Sequence, residues 1–400
     1  SRARSHADGP SRTVRATRLQ SKSSPIVTTI TRIVGVVPTA IWVLLGALCA
    51  VALAFGLRAV LVAVRARRLE RQRGELLEDV GLLQAALLPV PPARLGPVGT
   101  SVAYRPADGP GAGGDFYDVF ALEDGKLGVI LGDVSGHGRQ ALPHTALVRF
   151  TLRAYLEAGL PPRDALRTAG TVLERQLGGS FATVVVATYQ PRSRTLTYSA
   201  AGHPPPVVLG PEPVPTVVVC SAPPIGAGMR TGTRQTVISV PGLSRVCFYT
   251  DGLTEARVGG ELYGPERLTT ALVELGGGAA ASDVLARVVE QTTLRPDDMA
   301  VCLLNIEGGP HEPSILVEEI ELDREEATSD RVERFLLACG LEHGELAALT
   351  ASVQAVAGSE GTVLMQLRAA PGSPEITLLR DNIALLHPVH ARRAALGGLR

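Results

Sequence analysis

Two stretches, "GAGGDFYDVF" at Gly111–Phe120 and "LGDVSGHG" at Leu131–Gly138, decide the fold. In each, an Asp follows a Gly directly and stands beside a short apolar run of β character. Asp115 and Asp118 lie in the first, Asp133 in the second. Further acids lie beside β-type segments, Asp251 in "FYTDGLTE" and Asp297 and Asp298 in "RPDDMAVCLL". Any one of these alone reads as a turn signal, because Asp and Gly are common turn residues. Several acids at the ends of different strands ask for more. Carboxylates gathered at one sheet edge repel each other unless a cation holds them. No His or Cys cluster stands nearby, so the donors are oxygens, which suit Mg²⁺ or Mn²⁺. Two such ions about 3.5–4 Å apart deprotonate a bridging water and orient a phosphate for in-line attack. Gly114, Gly132, Gly136 and Gly252 leave the room that such a site needs.

Around these motifs the pattern is β-rich. "LGVILGDV" reads as a buried strand, and helices are expected over 140–157 and 163–177. "FATVVVATY" and "RTLTYSAAG" form a hairpin with "QPRS" at its turn, followed by "PVVLG", "VPTVVV", "RQTVISV" and "SRVCFYTDG". Strands clustered in runs, with two helices between them, argue for antiparallel sheets with helices on their outer faces. A parallel, doubly wound sheet fits less well.

The rest of the chain adds three pieces. Residues 1–32 form a basic polar tail that opens on Ser1 rather than Met, so the true N-terminus is expected upstream. Residues 33–57 run without a charge, enough to cross a hydrocarbon core that takes about 20 helical residues. Arg58, Arg65, Arg67, Arg68, Arg71 and Arg73 follow, and the positive-inside rule then puts the C-terminal side in the cytoplasm. Over 58–92 a helical linker is expected. Leu69, Leu76 and Leu83 repeat every seven residues with Val80 and Leu87 in the other seam, a pattern for a homodimeric coiled coil through 69–87; an amphipathic helix on the soluble part is the alternative. Pro89, Pro91 and Pro92 stop it. Basic and acidic residues number 39 each, so no overall field points to nucleic acid. Five cysteines without a CxxC pair read as reduced.

The middle region resembles the metal-dependent serine/threonine protein phosphatases of PPM type, in the bacterial stage II sporulation protein E branch. The matching residues are "LLQAALLP", "GGDFYD", "GDVSGHG", "FATVVVATY", "AAGHPPPVVL", "PPIGAG", "FYTDGLTEAR", "LYGPERL" and "DDMAVCLL", in the expected order. The resemblance implies an α+β fold, an α-β-β-α sandwich of two antiparallel sheets, over 96–307. It implies two Mn²⁺ or Mg²⁺ ions, with Asp115 and Asp133 bridging them and the Val134 carbonyl completing one of them. Asp251 and Asp297 match the later metal ligands, while Asp118 and Asp298 are placed in a third metal site or behind the ligands. His137 is a candidate general acid, and His203 is expected to pin a turn. Ala300 stands where the family usually has a hydroxyl, a position that is not a ligand. The implied activity is hydrolysis of phosphoserine or phosphothreonine by a metal-activated water, on a phosphorylated anti-anti-sigma factor.

Residues 308–390 read as a small α/β unit that resembles the anti-sigma-factor kinase domains of the GHKL group. "TASVQAVAGSEG" lacks the acid and Asn of their nucleotide site, so the unit is expected to be degenerate and not to bind ATP. The whole is then a single-pass cell-membrane phosphatase with its catalytic part in the cytoplasm. A catalytically inactive phosphoprotein-binding module on the same fold is the alternative, and the intact Asp115, Asp133, Asp251 and Asp297 favour the enzyme.

Overall fold

The computed structural model describes residues 38–107, 113–136, 141–211, 222–293, 297–308, 316–339, 341–360, 362–369, 374–380 and 383–390, with the backbone only at 73, 75–87, 358–360, 369, 374 and 383–390. It divides into two compact units, 1–73 and 74–400. The first is described within helix α1 (Thr39–Leu87), which runs unbroken from the apolar stretch into the basic one. Its segment Thr39–Gln72 has a mean hydropathy of 2.5 over its most apolar window, and that window is unburied, as suits a helix whose solvent is lipid. Residues 33–37 of the expected span lie outside the described residues. So do the seam side chains of Leu76, Val80, Leu83 and Leu87; Leu69 is exposed.

The second unit holds two antiparallel sheets. The smaller has the order β1-β2-β12-β9-β7, from β1 (Arg94–Leu95), β2 (Val98–Arg105), β7 (Val207–Leu209), β9 (Arg245–Tyr249) and β12 (Met299–Ile306). The larger has nine strands. Its phosphatase-like half is β3 (Asp115–Ala121), β4 (Leu127–Val134), β5 (Ala182–Gln190), β6 (Thr195–Ala201) and β8 (Arg234–Ser239), with β3 at the edge. Helices α2 (Ala141–Glu157) and α3 (Pro162–Leu173) pack on the outer face of this sheet. Pro162 stands in the first turn of α3, where its missing N–H costs nothing. On the other sheet, after the short α4 (Asp251–Glu255) and the ribbon β10 (Arg257–Val258) with β11 (Glu261–Leu262), come α5 (Gly264–Leu275) and α6 (Ala281–Gln291).

Period-two alternation explains the layers. In β12, Ala300, Cys302, Leu304 and Ile306 face the opposite sheet, while Met299, Val301 and Leu303 join Leu268, Leu272, Val284 and Val288 under α5 and α6. A strand covered on both faces needs an apolar residue at every position, which "MAVCLLNI" nearly supplies. Each Leu or Phe so enclosed contributes about 1.5–3 kcal/mol.

After β12 the chain crosses to the larger sheet. β13 (Leu316–Leu322) pairs antiparallel with β8, and β14 (Val363–Ala369), β15 (Pro374–Arg380) and β16 (Ile383–His390) extend the sheet outward. The sequence-based boundary at 308 thus falls at a crossing between sheets, inside one continuous core that includes Leu316, Ile320, Phe335, Met365 and Leu378. Over this extension lie α7 (Arg324–Thr328), α8 (Arg331–Ala338) and α9 (His343–Glu360). The first two of these are separate helices. Asp323 caps α7 by accepting from Glu326 N at 2.8 Å, and Ser329 turns extended before α8. Polar contacts run across the junction: Arg163 to Glu319 at 3.3 Å, Gln235 Nε2 to Glu319 at 3.1 Å and Thr236 Oγ1 to Glu318 at 2.8 Å.

Candidate metal centre

The two motifs that open the sequence become the ends of one hairpin. β3 and β4 pair so that Asp115 lies directly opposite Asp133. Cross-strand partners share a face, and this face is the one turned to the smaller sheet. From that sheet the end of β9 brings Thr250 and Asp251, and the start of β12 brings Asp297 and Asp298. Thr250 Oγ1 donates to Asp115 Oδ2 at 2.8 Å and accepts from Ala300 N at 2.9 Å. Asp298 Oδ1 accepts from Ala107 N at 2.8 Å, and the Gly114 and Asp115 amides also stabilise its charge. Asp297 Oδ1 accepts from Asp298 N at 2.8 Å and is exposed. The contact between the two sheets therefore assembles the acids.

Their electrostatics are those of uncompensated charge. Burial first, then Asp133 and Asp298, push the Asp115 carboxyl well above the usual carboxylate range. Burial, then Asp297, Asp251 and Asp298, raise Asp133 to about 8. Asp251 is raised by burial, Glu255 and Asp297, and Asp298 by burial and Asp297. Among the described residues no Lys, Arg or His forms an ion pair with any of the five. A cluster like this is destabilised unless cations enter.

The local backbone is shaped for that. An atom at the Cβ position of Gly114 would stand 2.1 Å from Asp133 Oδ1 and 2.3 Å from the Val134 carbonyl oxygen. Only glycine lets the carboxylate and the carbonyl approach the Asp115 strand so closely. Hard oxygen donors, raised acids and this cradle fit Mg²⁺ or Mn²⁺. The acids stand near one another without closing on a common centre: among the described residues, no three His, Cys, Asp or Glu side chains form a metal cage as placed. A cavity of about 30 Å³ lined by His203, Tyr198, Ser199 and Glu318 is lined by none of these acids.

Asp115, Asp133, Val134, Asp251 and Asp297 come together, and Asp298 joins them as a buried anchor between the strands. Asp118 does not. Three residues from Asp115, it points through the pleat to the helix side, where Arg149 holds it at 2.9 Å and Arg153 at 3.2 Å. Two guanidiniums thus share this one carboxylate. His137 lies outside the described residues. His203 is buried, its Nδ1 3.2 Å from Thr183 Oγ1, and burial lowers its imidazole to about 3, so it stays neutral and anchors its turn. Sequence reading missed Thr250, although its place immediately before Asp251 in "FYTDG" was visible.

The family model described as Stage II sporulation protein E matches residues 123–307, a segment that begins after β3 and so leaves Asp115 outside it. Among curated proteins, Protein IcfG of Synechocystis is 27% identical over 51% of this chain and 36% of its own length. The phosphoserine phosphatase RsbU of Bacillus subtilis is 28% identical over 23% of this chain and 28% of its own length. The chain thus spans about a third of the curated relatives it matches. Among solved structures, the SiaA-PP2C domain of Pseudomonas aeruginosa superposes with a TM-score of 0.52 at 20% identity, covering 60% of this chain and 98% of that domain; the two share a fold.

Proposed function

Residues 123–307 belong to the stage II sporulation protein E family of PPM-type phosphatase domains, and from that premise we propose that this chain is a membrane-tethered protein phosphatase acting on phosphoserine and phosphothreonine. The carrying observation is that Asp115, Asp133, Asp251 and Asp298 crowd one rim with raised proton affinities beside Asp297, and that among the described residues no cationic side chain pairs with any of them. Asp115 and Asp133 would hold both of two Mn²⁺ or Mg²⁺ ions, with the Val134 carbonyl, Asp251 and Asp297 completing the ligands. Bound there, the ions supply Lewis-acid activation of a water and neutralise charge on the phosphoryl oxygens.

The chain's own part is positioning. Thr250 keeps Asp115 turned to the rim, and Asp298 fixes the start of β3 against β12 by accepting backbone N–H groups. The water oxygen forms the new P–O bond, the bond to the serine or threonine oxygen breaks, and that oxygen leaves with a proton.

The resemblance to the stage II sporulation protein E branch supports a substrate class, a phosphorylated anti-anti-sigma-factor-like protein, with an anti-sigma factor as its partner in sigma-factor control. The apolar helix at Thr39–Gln72 supports the membrane tether, the basic residues after it support a cytoplasmic phosphatase, and the heptad seam through 69–87 supports a homodimer. The degenerate GHKL-like reading of 308–390 remains part of this proposal. The test is hydrolysis of p-nitrophenyl phosphate by the full chain in detergent, with MnCl₂ against EDTA, beside Asp133→Asn. Metal-dependent turnover that the variant abolishes supports the phosphatase. A folded wild type inactive with either metal would favour the inactive binding module.

A further inference from the structure

Asp118 is fully buried on the strand that carries Asp115, yet it faces away from the rim. We propose that Asp118, Arg149 and Arg153 form a positioning clamp that locks edge strand β3 in register, so that metal affinity at the rim depends on an ion pair on the opposite face of the sheet. The proposal rests on the two-metal reading above.

Among the described residues β3 pairs along one side only, with β4. Its first residue, Asp115, is set directly opposite Asp133 in the ladder. An edge strand is prone to fray or slip. The clamp acts against both. Arg149 Nη1 donates to Asp118 Oδ2 at 2.9 Å, and Arg153 Nη1 donates to the same oxygen at 3.2 Å. The two arginines stand four apart on α2 and so on one helix face. Each is itself held: Arg149 lies 4.2 Å over the Phe150 ring, and Arg153 lies 4.4 Å over Phe120 of β3 and pairs with Glu157 at 2.9 Å. Asp133 and Val134 lie between Asp118 and Arg149 in sequence, so the clamp closes a ring that contains the β4 part of the rim, with Asp115 three residues outside it.

Adhesion alone does not explain a buried ion pair. Apolar side chains of similar volume would hold α2 to β3 at least as well, because removing charges from water is costly. What the charges add is register. A slip of one residue sends every β3 side chain to the other face. Asp118 would then enter the space between the sheets, leaving the buried Arg149 guanidinium without its acid. That penalty opposes the slip to which an edge strand is prone.

The test uses the full chain in detergent and reads Mn²⁺ binding by the electron-spin signal of the free ion, together with hydrogen exchange of the 115–120 amides in the metal-free protein. Asp118→Asn and Arg149→Met should each weaken Mn²⁺ binding by about tenfold and speed exchange along β3. Arg149→Lys should recover much of both. Leu336→Ala, a core truncation in α8, is the comparator: it should lower the melting temperature with Mn²⁺ affinity and β3 exchange unchanged. If Asp118→Asn does not fold, Arg153→Met, which removes the half-buried outer member, is read in its place. Variants that melt early like Leu336→Ala, yet bind Mn²⁺ as the wild type does and keep β3 exchange slow, would overturn the clamp. A folded wild type that binds no Mn²⁺ would overturn the two-metal reading instead, while β3 exchange would still decide whether the clamp holds the strand.

Discussion

Gly114→Ala is the most searching perturbation of the rim. Gly114 does not have a positive φ, so alanine meets no backbone strain and the added methyl acts through contact alone. At 2.1 Å from Asp133 Oδ1 and 2.3 Å from the Val134 oxygen, it forces both oxygens back by roughly 1 Å to reach ordinary contact distance. Metal–oxygen distances tolerate only about 0.2 Å. The fold should suffer less. Overpacking costs about 1–3 kcal/mol, and the stiffer unfolded chain returns about 0.4–1 kcal/mol of it. The variant should therefore remain folded in EDTA while Mn²⁺ affinity collapses and p-nitrophenyl phosphate turnover falls by about 100-fold or more. Thermal melts, Mn²⁺ titration and steady-state rates read the three quantities separately. A folded Gly114→Ala protein with wild-type Mn²⁺ affinity and turnover would refute the assignment of Asp133 and Val134 to the metal.

The metal-free protein should lose stability as pH rises: the unfolded chain releases its Asp protons near pH 4, whereas folded Asp133 holds its proton up to about 8. Between those values the native state binds more protons, so the slope is negative; melts in EDTA at pH 5 and pH 8 should differ in that direction, and Mn²⁺ should narrow the gap. Thr250→Val removes the hydroxyl that donates to buried Asp115, so Asp115 should take up protons more readily and Mn²⁺ affinity should fall, read by titration at pH 7. Ending the chain at 308 strips β13 from β8 and exposes Ile238 and the partners of Glu318 and Glu319. The shortened protein should aggregate or melt earlier than one ending at 390, checked by size exclusion and thermal melts.

The motifs and elements of the phosphatase region were legible because their signals are local. β4, β5, β9 and β12 are short apolar runs next to turn residues, and α2 and α3 fall close to the expected spans. Asp115, Asp133 and Asp251 stand directly beside glycines, and Asp297 and Asp298 at the start of an apolar run. What stayed hidden depended on which way side chains point and on what lies opposite them. Asp118 sits in the same motif as Asp115, yet the odd spacing between them puts it on the other face, where Arg149 and Arg153, more than thirty positions later, meet it. Asp298 and Thr250 gained their places only once β9 and β12 were brought against β3.

The C-terminal region makes the same division between levels. Its strands and helices were readable in outline, and its Pro- and Gly-rich linker suggested a separate unit. Pairing of β13 with β8 makes its sheet continuous with the phosphatase sheet. By itself, then, the sequence determined which segments form strands and helices, which segment suits a membrane, and which acids seek a cation, because periodicity and adjacent residue types specify these. Tertiary structure decided which acids share the rim, which acid is bound by arginines instead, and where the sheet ends, because pleat direction and long-range pairing are set by partners far away in the chain.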